Sequence, residues 1–170
     1  MIEVIIDSIR VSLMSQARIV MLKDINDERY LPIWIGPFEA EAITNELNGQ
    51  QPKRPLTHDL LNAAIGELGG KVVHILINDL RDDVYYARLV ISLSDKQIEV
   101  DARPSDAINV AVRAGAPIFV ADTVMTKASI QPDEDVEQET ERSEVDESKL
   151  SAFADFVNSL DFEDLEDSED

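Results

Sequence analysis

Cysteine is absent from the 170 residues, so a disulfide framework, a thiolate nucleophile, an iron–sulfur cluster and a Cys-type zinc site are all excluded. Two histidines leave little for a His-rich metal cage, and aromatics make up only 5% of the chain, with one Trp. Apolar runs fall far short of the roughly 20 residues that a membrane span requires. The opening segment, Met1 to Asp7, places no basic stretch ahead of a hydrophobic one, so no signal peptide is visible and a soluble, cytoplasmic protein without membrane contact is expected. Basic residues are also scarce, 15 against 35 acidic, for a formal charge of −20. Lys53-Arg54 is the only adjacent basic pair, which argues against a strong nucleic-acid binder, because phosphate contacts need clustered cations.

What the chain does have is a core-forming composition, 44% hydrophobic, in a length that suits one domain. The charge is concentrated. Residues 1–130 hold 18 acidic and 13 basic side chains, whereas residues 131–170 hold 17 and 2. A domain over 1–130 is therefore expected, followed by an acidic disordered linker over 131–147 and a short amphipathic helix with an acidic tail over 148–170. In that last part Leu150, Phe153, Phe156, Val157 and Leu160 recur at helical spacing. A lone helix of that length is marginal in water and needs a surface to dock on.

Alternation of Val and Ile predicts strands over 2–14, 17–23 and 29–35, with Pro32 confining the third to an edge or a bulge. Helices are predicted from Pro37 to about Leu47, from Leu56 or Thr57 to Leu68, and from Pro104 to about Ala114; Pro at a first helical position is a start signal. Leu60, Leu61, Ala64, Ile65 and Leu68 are expected to form the buried face of the second helix. Further strands are expected over 71–80, 84–94, 97–102 and 117–121. Strands arriving in hairpins point to an α+β fold: a mixed, mainly antiparallel sheet with about three helices packed on it. An internal echo joins Arg54-Pro55, followed by Asp59-Leu60-Leu61-Asn62, to Arg103-Pro104, followed by Asp106-Ala107-Ile108-Asn109.

Five ordered segments now stand out: Leu31-Pro32-Ile33-Trp34-Ile35-Gly36-Pro37-Phe38-Glu39, Arg54-Pro55-Leu56-Thr57-His58-Asp59, Asn78-Asp79-Leu80, Tyr85-Tyr86-Ala87-Arg88-Leu89, and Val100-Asp101-Ala102-Arg103-Pro104-Ser105-Asp106. In this order, over about residues 1–125, the chain resembles the bacterial and plant bifunctional nuclease family. The resemblance implies an α+β domain, a self-associating subunit (a homo-oligomer) and nuclease action on DNA and RNA, without transferring a catalytic residue set.

Phosphodiester hydrolysis without a covalent nucleophile usually relies on Mg²⁺ or Mn²⁺ held by carboxylates. Candidate metal ligands are Glu39, Asp101 and Asp106, and candidate catalytic residues are His58, Asp59, Asp101 and Asp106, with His58 as general base. Arg54 and Arg103 could clamp phosphate with their planar forks. Plainer roles compete with each of these. Glu39, Asp59 and Asp106 sit where acids stabilise the helix dipole, Arg54 and Arg103 could pair with Asp59 and Asp106, and His58 could cap a helix. His74 reads as a packed core or interface side chain, and Trp34 as core rather than a base-stacking platform. Two functions therefore stand side by side: metal-assisted cleavage of DNA or RNA without strong sequence specificity, and a non-catalytic oligomeric binding or regulatory protein whose acids are helix caps.

Overall fold

The computed structural model describes residues 1–11, 17–50 and 52–131. The expected helix over 148–160 and the end of the first strand lie outside the described residues. Three antiparallel strands open the chain: β1 (Ile2–Val11), β2 (Arg18–Asp24) and β3 (Tyr30–Ile35). Helices α1 (Pro37–Leu47) and α2 (Thr57–Glu67) follow, then an antiparallel meander of β4 (Gly70–Arg81), β5 (Val84–Leu93) and β6 (Lys96–Ala102). Helix α3 (Pro104–Ala114) leads back to a short strand β7 (Ile118–Val120), and α4 (Asp122–Ala128) ends the folded elements among the described residues.

The architecture is α+β. All seven strands form one sheet in the order β3-β2-β1-β7-β4-β5-β6. Strand β7 joins the two meanders, running antiparallel to β1 and parallel to β4, which makes the sheet mixed. A three-residue strand can hold that central place because Ile118 and Val120 are buried and hydrogen-bonding partners lie on both sides. β3 is an edge strand, so the N–H missing from Pro32 costs no ladder bond, as the sequence predicts.

Helix α3 is the one embedded in the molecule. Ser105, Ala107, Ile108, Asn109, Val110 and Ala111 are all buried, and the small residues among them let the helix lie close to β4 and β5 while α1 and α2 pack beside it. Gly115 ends it in the left-handed region, φ 60°, where a side chain would be strained. The core runs through Val20, Leu22, Leu31, Ile43, Ile75, Ile77, Ile108 and Val120.

Two expectations are corrected, and one helix is added. Helix α2 buries none of its residues: Leu60 is 63% exposed, Leu68 79%, Leu61 is also exposed, and only Ile65 packs against the core. The apolar stripe was legible, but α3 already fills the position over the sheet that such a stripe would claim. Trp34 is 62% exposed rather than core, because Leu31 and Ile33 take the inward face of β3 and alternation turns Trp34 outward. Helix α4 carries no sequence signal, since seven residues with two buried apolar side chains, Val124 and Met125, leave no readable period. Among the described residues no helix is long and apolar enough to cross a membrane.

Candidate functional site

The amino ends of α1 and α3 share a construction. Each helix begins with Pro in its first turn, which loses no hydrogen bond there, and each carries an acid in that turn, Glu39 in α1 and Asp106 in α3. The start of α2 brings His58 to the same place. A cavity of about 730 Å³ opens between these three helix ends, lined among others by Phe38, Glu39, Leu56, His58, Arg103 and Asp106.

Arg103, the residue before α3, ties the cluster together. Its Nε donates to Asp106 Oδ2 at 2.7 Å, and one terminal nitrogen donates both to Asp106 Oδ1 at 3.1 Å and to Glu39 Oε1 at 2.9 Å. His58 Nε2 lies 3.1 Å from the same Asp106 Oδ1. The carboxylates are sheltered, with side-chain exposures of 18% for Glu39 and 31% for Asp106, whereas the Arg103 side chain is 67% exposed and keeps a face open to solvent. Burial works against the charge of Asp106, but hydrogen bonds from Arg103 and His58 outweigh it and hold the carboxyl below its ordinary value. Asp106, and secondarily Glu39, raise the pKa of Arg103. A Cβ at Gly36 would collide with Glu39 Oε2, so glycine at that position makes the room in which the Glu39 carboxylate sits.

Asp59 is not part of this cluster. One of its oxygens accepts the Leu56 N–H at 2.7 Å, a helix-capping bond, and the other accepts from Arg113 Nε. Burial again opposes the charge, and the Arg113 and Leu56 bonds together lower its pKa. Asp101 also stands apart, exposed on β6 with Arg88 of β5 at 3.9 Å. The register pairs Arg88 with Asp101, and since Ala87 and Leu89 on either side of Arg88 face the core, this pair occupies the opposite face of the sheet. Arg54 is exposed in the loop before α2, does not line the cavity, and makes no ion pair among the described residues. Of the echoed Arg-Pro motifs, only Arg103 pairs with its own acid; Asp59 is paired by Arg113 instead.

The described residues therefore bring together Glu39, His58, Arg103 and Asp106, and leave Asp59, Asp101 and Arg54 outside. They do not assemble Glu39, Asp101 and Asp106 as a site for Mg²⁺ or Mn²⁺. Among the described residues no three His, Asp or Glu side chains converge on one metal position, and the guanidinium of Arg103 already bridges Glu39 and Asp106, two of the carboxylates that line the cavity.

A family model for the bifunctional nuclease domain matches residues 20–133, a stretch that contains all four clustered residues. The chain belongs to the bifunctional nuclease domain family. It is 40% identical over 159 residues to an uncharacterized protein of Mycobacterium tuberculosis, covering 93% of this chain and 94% of that one. It is 31% identical over 108 residues to bifunctional nuclease 2 of Oryza sativa subsp. japonica, covering 62% of this chain and 33% of the rice protein. Bifunctional nuclease 2 of Arabidopsis thaliana is 30% identical over 93 residues, covering 53% of this chain and 28% of its own length.

Two residues that build this bifunctional nuclease domain site had no sequence signal of function. Asn109, fully buried, donates through its side-chain nitrogen to Glu39 O at 3.1 Å and to Ser105 O at 3.0 Å, fastening α1 to α3 behind the cluster. Arg113, with a side chain 5% exposed, donates to Asp59 on α2, to Asn109 O and Oδ1 on α3 and to Ala42 O on α1. One guanidinium thus binds all three helices whose ends frame the cavity. Two hints lie in the sequence: Asn109 closes the echoed Asp-x-x-Asn segment, and Asn109 and Arg113 form a polar pair at helical spacing within the otherwise apolar α3.

Proposed function

We propose that the chain is a nuclease that hydrolyses phosphodiester bonds of DNA and RNA at the Glu39–Arg103–Asp106–His58 cluster. The observation that carries this reading is the meeting of Arg103 and His58 on one carboxylate at the mouth of a cavity. DNA has no 2′-hydroxyl, so a chemistry common to both nucleic acids takes water as the nucleophile. Asp106 accepts the Nε2 proton of His58, which orients the ring and leaves Nδ1 with the lone pair that removes a proton from that water. The exposed face of Arg103 meets the phosphate and stabilises the negative charge that builds as the water oxygen bonds to phosphorus; the P–O bond to the departing ester oxygen breaks, and that oxygen takes a proton from solvent. Glu39 and Asp106 hold the guanidinium in place from behind. No step is assigned to a metal ion, because the described donors do not form a site for one. With a single phosphate-binding arginine in the cavity, binding is weak and shows little sequence preference.

A second reading is favoured by one observation: Glu39 and Asp106 are both engaged by Arg103, which suits an anion-binding protein without turnover. The two separate in one experiment. Cleavage of plasmid DNA and of total RNA is followed with Mg²⁺, Mn²⁺ or EDTA present, for wild type, His58→Ala and Arg103→Ala. The nuclease reading expects a loss on the order of 10²-fold or more in each variant, in whichever buffer supports cleavage. Absence of cleavage in every buffer, with nucleotide binding that Arg103→Ala abolishes, would establish the binding protein instead.

A further inference from the structure

Arg103 lines two cavities. The first is the one described above. The second, of about 390 Å³, is lined with Arg103 by Trp34, Gly36, Val84, Tyr85 and Pro104 among others. Each cavity is of the size that takes one nucleotide-sized group, within the roughly 300–1,000 Å³ of ligand clefts. Each also presents an exposed aromatic ring: Trp34, 62% exposed, in the second, and Phe38, 81% exposed, in the first. Leaving two aromatic rings in water forfeits the burial that ordinarily places them inside. Here they flank the arginine assigned to phosphate, with Trp34 on the edge strand β3 and Phe38 in the first turn of α1.

We infer that the site binds single-stranded nucleic acid, with one base stacked on Trp34, the phosphate on Arg103, and the next base against Phe38. This rests on the phosphate role given to Arg103 above and adds the substrate class. Base faces are free for stacking only where the strand is unpaired, and aromatic platforms of this kind tolerate any base. The charges point the same way. Glu41 lines the first cavity and Asp83 the second, so neither wall attracts further phosphates, and stacking supplies the affinity that a basic groove would otherwise provide. Two consequences follow: the salt dependence of binding is shallow, with a log–log slope near −0.7 for one phosphate on a single strand, and duplex DNA is a poor ligand.

Trp34 is the only tryptophan in the chain, so its fluorescence reports on the second cavity alone. The full-length protein is mixed with a short oligothymidylate, with the same backbone lacking bases, or with a hairpin duplex, and quenching is read before turnover. The expected result is quenching by the oligothymidylate only. Trp34→Ala then weakens binding of a fluorescein-labelled oligothymidylate about tenfold, and Trp34→Phe, which retains a stacking ring, restores most of it. In turnover, Trp34→Ala raises KM and leaves kcat within about twofold. Equal quenching by the base-free backbone or the duplex, or unchanged binding by Trp34→Ala, would overturn the inference. Stacking without cleavage would remove the nuclease reading and leave the strand-binding site. Cleavage that ignores Trp34 would do the reverse.

Discussion

Arg113→Met is the substitution through which the architecture of the site can be measured. Methionine keeps the apolar stem of the side chain and removes the guanidinium, so the change isolates the polar network. Four acceptors lose their donor at once: Asp59 Oδ1, Asn109 O, Asn109 Oδ1 and Ala42 O. Deleting one partner of a buried pair costs about 3–5 kcal/mol. Asp59 retains 25% side-chain exposure and the Leu56 N–H, so water and the backbone absorb part of the loss and the lower end, about 3 kcal/mol, applies. With a urea m-value of about 2 kcal/mol per molar, the unfolding midpoint falls by about 1.5 M. A double-mutant cycle with Asp59→Leu isolates the pair itself, with a coupling of about 2 kcal/mol. Circular dichroism of urea titrations gives all four corners. A midpoint shift below about 0.5 M, or additive single effects, would refute the claim that Arg113 clamps the three helices together.

Other outcomes follow from the same geometry. Asp59 and Asp106 both have folded pKa values below the ordinary carboxylate value, so each stabilises the fold above its unfolded pKa of about 3.9 and loses that contribution as pH falls through its lower folded value. Urea midpoints are therefore expected to drop below about pH 4, and Asp59→Asn flattens that dependence. Gly36→Ala places a methyl where the Glu39 carboxylate lies, freeing Arg103 on one side; cleavage is expected to fall roughly 10- to 100-fold with the thermal midpoint nearly unchanged. Leu60→Glu, at a position 63% exposed, leaves the unfolding free energy within about 0.5 kcal/mol of wild type, and a loss of about 2 kcal/mol or more in the same titration would show that the face is covered.

Local rules carried most of the fold. Pro37, Pro104, Gly115 and the alternating strands mark their elements through backbone chemistry that each segment carries by itself. Burial was less legible, because it depends on which element arrives first over the sheet. The leucines of α2 and the apolar face of α3 present similar stripes, yet only α3 is enclosed, while Trp34 between two isoleucines faces water because alternation along β3 puts Leu31 and Ile33 inward. For the site, the residues that could be read were those whose partners are near in sequence or share a helix start: Arg103 with Asp106, and Glu39 at the head of α1. Asp101 lies two positions from Arg103, but β6 ends at Ala102 and the chain turns into α3 there, so Asp101 stays on the sheet face opposite the core beside Arg88. Arg113 claims Asp59 from 54 positions away, a pairing that no local spacing reveals.

The most direct test of the account is single-turnover cleavage of one unpaired DNA strand and one RNA strand of matched sequence by wild type and by His58→Ala. One water-activating His58 serving one phosphate site predicts that both rates fall together, on the order of 10²-fold or more. Loss of one activity with the other intact, or equal cleavage by both preparations, would contradict it.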